Sequence, residues 1–145
     1  MSSGTGKAYF GRRYTLSASH RLHTEVLSAA ENRATYGKCN NPHGHGHNYV
    51  VEVLVGGDVD PETGMVVNLA VLDEAVGKHV VGRFDHRNLN LDPVFRDQVP
   101  TTENLCTVLF SLIQDALPVG RLERVRVEET ENNFFECYGS RRDRG

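Results

Sequence analysis

The sequence is short of several features that would each point to a function class. No run of apolar residues approaches the roughly 20 that a membrane-spanning helix needs, so such a helix is not expected. Positive charge is not in excess: 16 Lys and Arg stand against 19 Asp and Glu, a net charge of −3. The field that draws a protein onto a phosphate backbone is missing, and no nucleic-acid partner is expected. Cysteine is scarce and odd in number. Cys39, Cys106 and Cys137 cannot close a disulfide set, and the small polar stretch Met1 to Lys7 has no apolar region of a secretion signal. Both observations favour a reducing compartment, hence the cytoplasm. Internal repeats, low-complexity tracts and interior linkers are also lacking. The 145 residues, 39% hydrophobic and 24% charged, are read as one domain over residues 8–139, with loose ends at 1–7 and 140–145.

Histidine is what the chain does have. Three of its seven histidines, His43, His45 and His47, fall within five residues. Hydropathy patterning places them. Tyr9 to Leu22 alternates as a strand, with Tyr14, Leu16, Ala18, His20 and Leu22 on one face. Ser28 and Glu31 form a capping box for a short helix that Gly37 stops. His45 to Gly56 reads as a second strand carrying His45, His47, Tyr49, Val51, Val53 and Val55 on one face. Asp60 to Gly64 is turn chemistry. A helix follows over about Leu69 to Phe84, with Leu72, Val76, Val80 and Phe84 in one stripe, although Gly77 and Gly82 weaken it. A second runs from about Glu103 to Leu117, with Leu105, Leu109, Leu112, Ile113 and Ala116 inward. Leu122 to Thr130 and Phe134 to Tyr138 close the chain as a hairpin. The order ββααββ predicts an α+β layer: a four-stranded antiparallel sheet with two helices on one face. Its two open edges are a liability that pairing between subunits would remove, so an oligomer is expected.

On a strand, residues i and i+2 point the same way. His45 and His47 therefore aim two imidazoles from one face, with Gly46 between them leaving space. His20, on the neighbouring strand and sharing a face with Leu16 and Ala18, is the candidate third ligand. Three nitrogens with one open position is the layout of catalytic rather than structural zinc. The overlapping His43-Gly44-His45 is the competing register; Pro42 and Gly44 assign His43 to the loop. Cys39, in a polar loop six residues before His45, is a candidate thiolate base, whereas Cys106 and Cys137 read as packing residues. Asp85-His86 directly follows the first helix, as a pair or as a helix-terminal cation beside a solvated carboxylate. Glu129 alternates with Val125 and Val127, while Glu128 sides with Arg124 and Arg126. A carboxylate on an apolar face needs a partner, either a salt bridge or a ligand presenting N–H groups. Thr101, Thr102 and Glu103 open the second helix as a cap or as a ligand anchor.

Five segments together resemble one family. Cys39-Asn40-Asn41-Pro42-His43-Gly44-His45-Gly46-His47-Asn48-Tyr49 is similar to the cysteine and metal loop of 6-pyruvoyltetrahydropterin synthases. Ser17 to Leu22, Phe84 to Leu89, Thr101 to Asn104 and Glu129 to Asn133 resemble that family's first strand, Asp-His segment and two pterin-anchoring segments. The resemblance spans residues 10–139. It implies the tunnelling fold, with sheets joined between subunits into a barrel, and a homohexamer built as a dimer of trimers. It implies Zn2+ on His20, His45 and His47, and a catalytic triad of Cys39, Asp85 and His86, partly contributed across a subunit interface. Glu129 would hold the pterin ring, with Glu103, Thr101 and Thr102 as a second anchor. The implied reaction is zinc-dependent conversion of 7,8-dihydroneopterin triphosphate to 6-pyruvoyltetrahydropterin with loss of triphosphate, a step toward tetrahydrobiopterin. Arg12, Arg13, Arg21 and Lys38 are candidates for the triphosphate. The nearest rival is 6-carboxytetrahydropterin synthase of deazapurine biosynthesis, whose shorter cysteine-to-histidine spacing the His43-Gly44-His45 register would meet. A non-enzymatic zinc or pterin-binding module is the third reading.

Overall fold

The computed structural model describes residues 6–118 and 120–139. Two long strands form its centre, β1 (Lys7–His20) and β2 (His45–Asp58), paired antiparallel from Lys7↔Asp58 to His20↔His45. The expected alternation holds along both. Leu16, Ala18 and His20 on β1 and Tyr49, Val51, Val53 and Val55 on β2 are buried on one face. The connection between the strands carries α1 (Ala29–Tyr36), started by the capping box of Ser28 and Glu31 and stopped at Gly37. Buried Asn32 ties that connection down, accepting from the Thr24 N–H and donating to the Thr24 carbonyl. A 3-10 turn, Gly37–Asn40, then leads to β2.

The helical segment after β2 has the expected ends but not the expected regularity. It starts as α2 (Leu69–Val76), capped by the Asn68 side chain, widens into a π-helical turn over Gly77–Val81, and ends as α3 (Gly82–Phe84). Leu72, Val76, Val80 and Phe84 are all fully buried. Removing the Phe84 ring would cost about 3–5 kcal/mol, the usual toll of a large cavity. α4 (Thr102–Ala116) begins one residue earlier than expected, with Thr101 as its cap. It buries Leu105, Leu109 and Ile113, together with Cys106, Val108 and Phe110. β4 (Leu122–Glu128) and β5 (Phe134–Tyr138) form the terminal hairpin.

The four-stranded antiparallel expectation needs one correction. The sheet has five strands in the order β3-β1-β2-β4-β5, and it is mixed. The extra strand, β3 (Arg87–Asn88), runs parallel to β1 opposite Ala18 and Ser19. Two residues carry no periodicity, so nothing in the sequence marks them. The helices α2, α3 and α4 and the sheet share one hydrophobic cluster. The opposite sheet face carries charge, with Glu52 bonded to Arg13 and Arg124, and Arg124 to Glu136. Because β3 reaches only Ala18 and Ser19, the length of β1 before them has no strand on its outer side among the described residues. Of the ends expected to be loose, residues 1–5 and 140–145 lie outside the described residues, while Lys7 already belongs to β1. No helix of the described residues is long and apolar enough to cross a membrane.

Candidate active site

The pairing of β1 with β2 places Ala18 opposite His47 and His20 opposite His45. Side chains of His20, His45 and His47 therefore leave the same sheet face at the same end. Their ring centroids are 4.9 Å (His20–His45), 5.2 Å (His20–His47) and 4.7 Å (His45–His47) apart. One ligand nitrogen from each lies within 4.8 Å of the others. His43 is outside this cluster, exposed in the loop, with its backbone N–H on Asn41 Oδ1.

The hydrogen bonds of the three rings show what the cluster is suited to hold. His20, 1% exposed, has Nδ1 2.8 Å from the Pro100 carbonyl oxygen. A carbonyl only accepts, so Nδ1 carries the proton and Nε2 keeps its lone pair, the orientation second-shell partners impose on metal-binding imidazoles. That Nε2, His45 Nδ1 and His47 Nε2 are all buried without a hydrogen-bond partner. Leaving three such atoms unpaired costs about 1–3 kcal/mol each, and a cation between them would remove the penalty. Burial also pushes the His20 and His47 imidazoles below their ordinary range, favouring the neutral form that binds metal. The donor set fits a borderline-soft cation with nitrogen preference.

Glycine works differently here from what alternation alone implies. Gly46 is not where space is needed: a Cβ there would meet only the Ala18 carbonyl oxygen at 3.6 Å. Gly44 is the restricted position, with φ of +71° and a Cβ that would lie 2.9 Å from the His20 carbonyl oxygen.

Cys39 sits on the 3-10 turn, half-buried, with Sγ 3.6 Å from His45 Nε2. Its backbone carbonyl accepts from Leu22 N–H at 2.7 Å, fixing the turn against the end of β1. Desolvation and then the negative charge of Glu129 push its thiol up. Glu129 follows β4 on the side of Val125 and Val127, as the alternation required, and its Oε2 accepts from the Thr102 hydroxyl. Thr102 is buried at the start of α4, and Thr101 Oγ1 accepts from Asn104 N–H as the cap. Glu103 is exposed in the first turn. Tyr49 shares the face of the histidines, as the alternation along β2 predicts. Its ring packs 5.5 Å from that of His47, and its fully buried hydroxyl faces Thr102 without a well-formed hydrogen bond.

Asp85 and His86 are not gathered with Cys39 in this chain. They lie beyond the outer edge of β1, where β3 begins, two strand spacings (about 10 Å) from β2. Asp85 Oδ1 accepts from the Ser17 N–H at 2.8 Å, and the His86 N–H donates to the Ser17 carbonyl at 2.5 Å. The His86 ring is 81% exposed, 3.5 Å from Asp85 Oδ2. Its backbone, at φ of +59°, is the one non-glycine residue in the left-handed region among the described residues. His86 borders an open cavity of about 550 Å³ that Ser17, Ser19, His47, Asn48 and Arg87 also line. Two of the expected phosphate-binding cations are engaged elsewhere: Arg12 with Asp73 and Arg13 with Glu52.

Comparison with known proteins agrees with this geometry. Residues 9–140 match the model of the family described as 6-pyruvoyl tetrahydropterin synthase. The chain is 50% identical over 134 residues to the human protein named 6-pyruvoyl tetrahydrobiopterin synthase, covering 92% of both chains. It is 45% identical over 134 residues to the Drosophila melanogaster protein of that name, covering 91% of this chain and 80% of the other. The solved structure of Caenorhabditis elegans 6-pyruvoyl tetrahydropterin synthase superposes with a TM-score of 0.89 at 43% identity, covering 93% of this chain and 97% of that one. A Plasmodium falciparum structure, 16% identical with a TM-score of 0.65, shares the fold. With its histidine cluster, its cysteine turn and a match over nearly its whole length, this chain belongs to the 6-pyruvoyl tetrahydropterin synthase family.

Proposed function

We propose that the protein is a zinc-dependent lyase that converts 7,8-dihydroneopterin triphosphate to 6-pyruvoyltetrahydropterin with elimination of triphosphate, in tetrahydrobiopterin biosynthesis. The observation that carries this reading is the convergence of three unpartnered imidazole nitrogens beside a thiol 3.6 Å from one of the rings. His20, His45 and His47 hold the zinc. When bound, the metal supplies Lewis-acid polarisation at the substrate's side-chain oxygens, which acidifies the neighbouring C–H bonds. Cys39, held by the Leu22–Cys39 backbone bond, takes a proton from a side-chain carbon as thiolate, a form that the positive charge of bound zinc beside His45 would favour against the burial and the Glu129 charge that push the thiol up. Glu129, oriented by the Thr102 hydroxyl, accepts from a pterin ring N–H and the exocyclic amino group, a pairing that fixes ring orientation. Glu103 and the backbone at Thr101 and Thr102 form the second anchor.

Asp85 and His86 complete the catalytic set on a neighbouring copy, since in their own chain they bond to Ser17 and to each other while Cys39 contacts His45. This agrees with assembly through sheet edges into a homohexamer, a dimer of trimers. The uncovered outer side of β1 and the apolar groups along the edges, Tyr9 at 60% and Phe134 at 49% exposure, support it. Three free thiols suit the reducing cytoplasm.

The test is zinc analysis and product identification on purified protein given 7,8-dihydroneopterin triphosphate. One zinc per chain and 6-pyruvoyltetrahydropterin are expected. A predominance of 6-carboxytetrahydropterin would transfer the chain to the rival activity. Full turnover by Cys39→Ala would remove the thiol from the chemistry.

A further inference from the structure

Beside the Cys39 turn is a second cavity of about 460 Å³. Its walls come from the end of β1, the helix α1 and the turn itself. Arg21, Arg33 and Lys38 line it, with His23 and Asn40, and no carboxylate does. Such one-sided lining is unusual for this chain, because its other clustered cations are neutralised: Arg12 by Asp73, Arg13 by Glu52, Arg83 by Asp92, Arg124 by Glu52 and Glu136, and Arg126 by Glu128. Arg21, Arg33 and Lys38 have no ion pair among the described residues. The adjacent Glu31 is committed to the capping box, with Oε1 on the Ser28 N–H. Glu25 reaches only His23.

The cations are also anchored. Arg21 Nε donates to the Asn40 carbonyl at 3.2 Å, which leaves its terminal nitrogens available as a fork. Asn40, buried, donates to the Leu22 carbonyl and to His23 Nδ1. The floor of the cavity is thus the same hydrogen-bonded unit that positions Cys39, whose chain neighbours Lys38 and Asn40 both line it.

We propose that this cavity is the polyphosphate subsite, in which Arg21, Arg33 and Lys38 receive the substrate's triphosphate and hold it as the leaving group departs. The inference rests on the function proposed above and goes further by assigning Arg33, a helix residue outside every recognised motif. Three cations against a triphosphate give an interaction that excess salt weakens, and the arginine forks match phosphate oxygens in bidentate fashion.

The experiment uses the full chain, loaded with zinc, in low-salt buffer without divalent chelators. Inorganic triphosphate is titrated calorimetrically into the wild type, Arg33→Ala, Lys38→Ala and Arg33→Glu. Each alanine variant should weaken the Kd by about five- to tenfold, the scale of one partly exposed charge-assisted contact. Arg33→Glu should weaken it further. Both Arg33 and Lys38 are exposed, so folding and zinc content should be unchanged. The kcat/KM for the triphosphate substrate should fall by the same factor as triphosphate affinity, while binding of unphosphorylated dihydroneopterin stays put. Wild type that binds no triphosphate, or variants that bind it as the wild type does, overturns the subsite. Absence of the 6-pyruvoyl product from wild type tells against the proposed reaction instead, and is read separately from the calorimetry.

Discussion

Two glycines stand in the same His-Gly-His-Gly-His string and should behave very differently. Gly44→Ala forces an alanine to φ of +71° and sets its Cβ 2.9 Å from the His20 carbonyl oxygen, a backbone atom that cannot swing aside. The left-handed conformation costs about 1–2 kcal/mol for an L-residue, and relieving the clash costs a similar amount through local strain, about 1–3 kcal/mol. The total, about 2–5 kcal/mol, would lower the melting temperature by roughly 5–15 °C in a domain of this size. Because the residue pushed against is the carbonyl of His20, part of the strain should relax by shifting that ring, so zinc affinity should also fall. Gly46→Ala, extended and with its nearest contact at 3.6 Å, should move the melting temperature by no more than about 2 °C, the range of an uneventful substitution. Thermal unfolding with and without zinc, plus a competition titration for metal affinity, reads both effects. If the two variants match in stability and zinc affinity, the close approach of the Gly44 loop to His20 is wrong, and with it the placement of the metal site.

Chelating the metal should destabilise the protein by about 2.7 kcal/mol relative to zinc at one hundred times its Kd, and His20→Ala should abolish the zinc dependence of the melting temperature. Thr102→Val removes the hydroxyl from Glu129 while keeping the volume; it should weaken dihydroneopterin binding by about tenfold or more, the value of one hydrogen bond to a charged acceptor, with zinc content unchanged. Asp92 takes two hydrogen bonds from Arg83, at 2.8 and 3.0 Å, and Arg83 holds its carboxyl below the usual range. A depressed carboxylate contributes stability above its unfolded value of about 3.9 and loses it as pH falls through the folded value. Asp92→Asn should therefore lower the melting temperature at neutral pH by about 2–4 °C and lessen the loss of stability in acid below about pH 4.

Alternation was enough to read the two long strands, and with them the face that carries His20, His45 and His47, because burial on one side forces a period of two. The capping box at Ser28 and the cap at Thr101 were equally legible, since side chain and backbone satisfy each other locally. Two-residue β3 was not, as pairing that short leaves no pattern. Charge was the least legible property. Arg12 and Arg13 look like phosphate ligands beside the first motif, yet Asp73 and Glu52, 61 and 39 residues away, claim them. Arg33 looks like helix surface, and only the folding of α1 against the Cys39 turn brings it to Arg21 and Lys38. Where a cation ends up depends on distant carboxylates, which no local window displays.

The widened turn at Gly77–Val81 has a consequence for how this helix can vary. An α-helix advances 100° per residue, so the four-residue spacing of Leu72, Val76, Val80 and Phe84 overshoots by about 40° at each step, or about 120° overall. An ideal helix would rotate Phe84 off the core. All four are fully buried because the π turn winds more slowly and takes the excess back. The segment behaves as an ordinary α-helix with one residue too many. Excising the exposed Lys78 would give spacings of four, three and four, a net drift of about 20°, so a shortened, regularly wound helix would still seat the same four side chains.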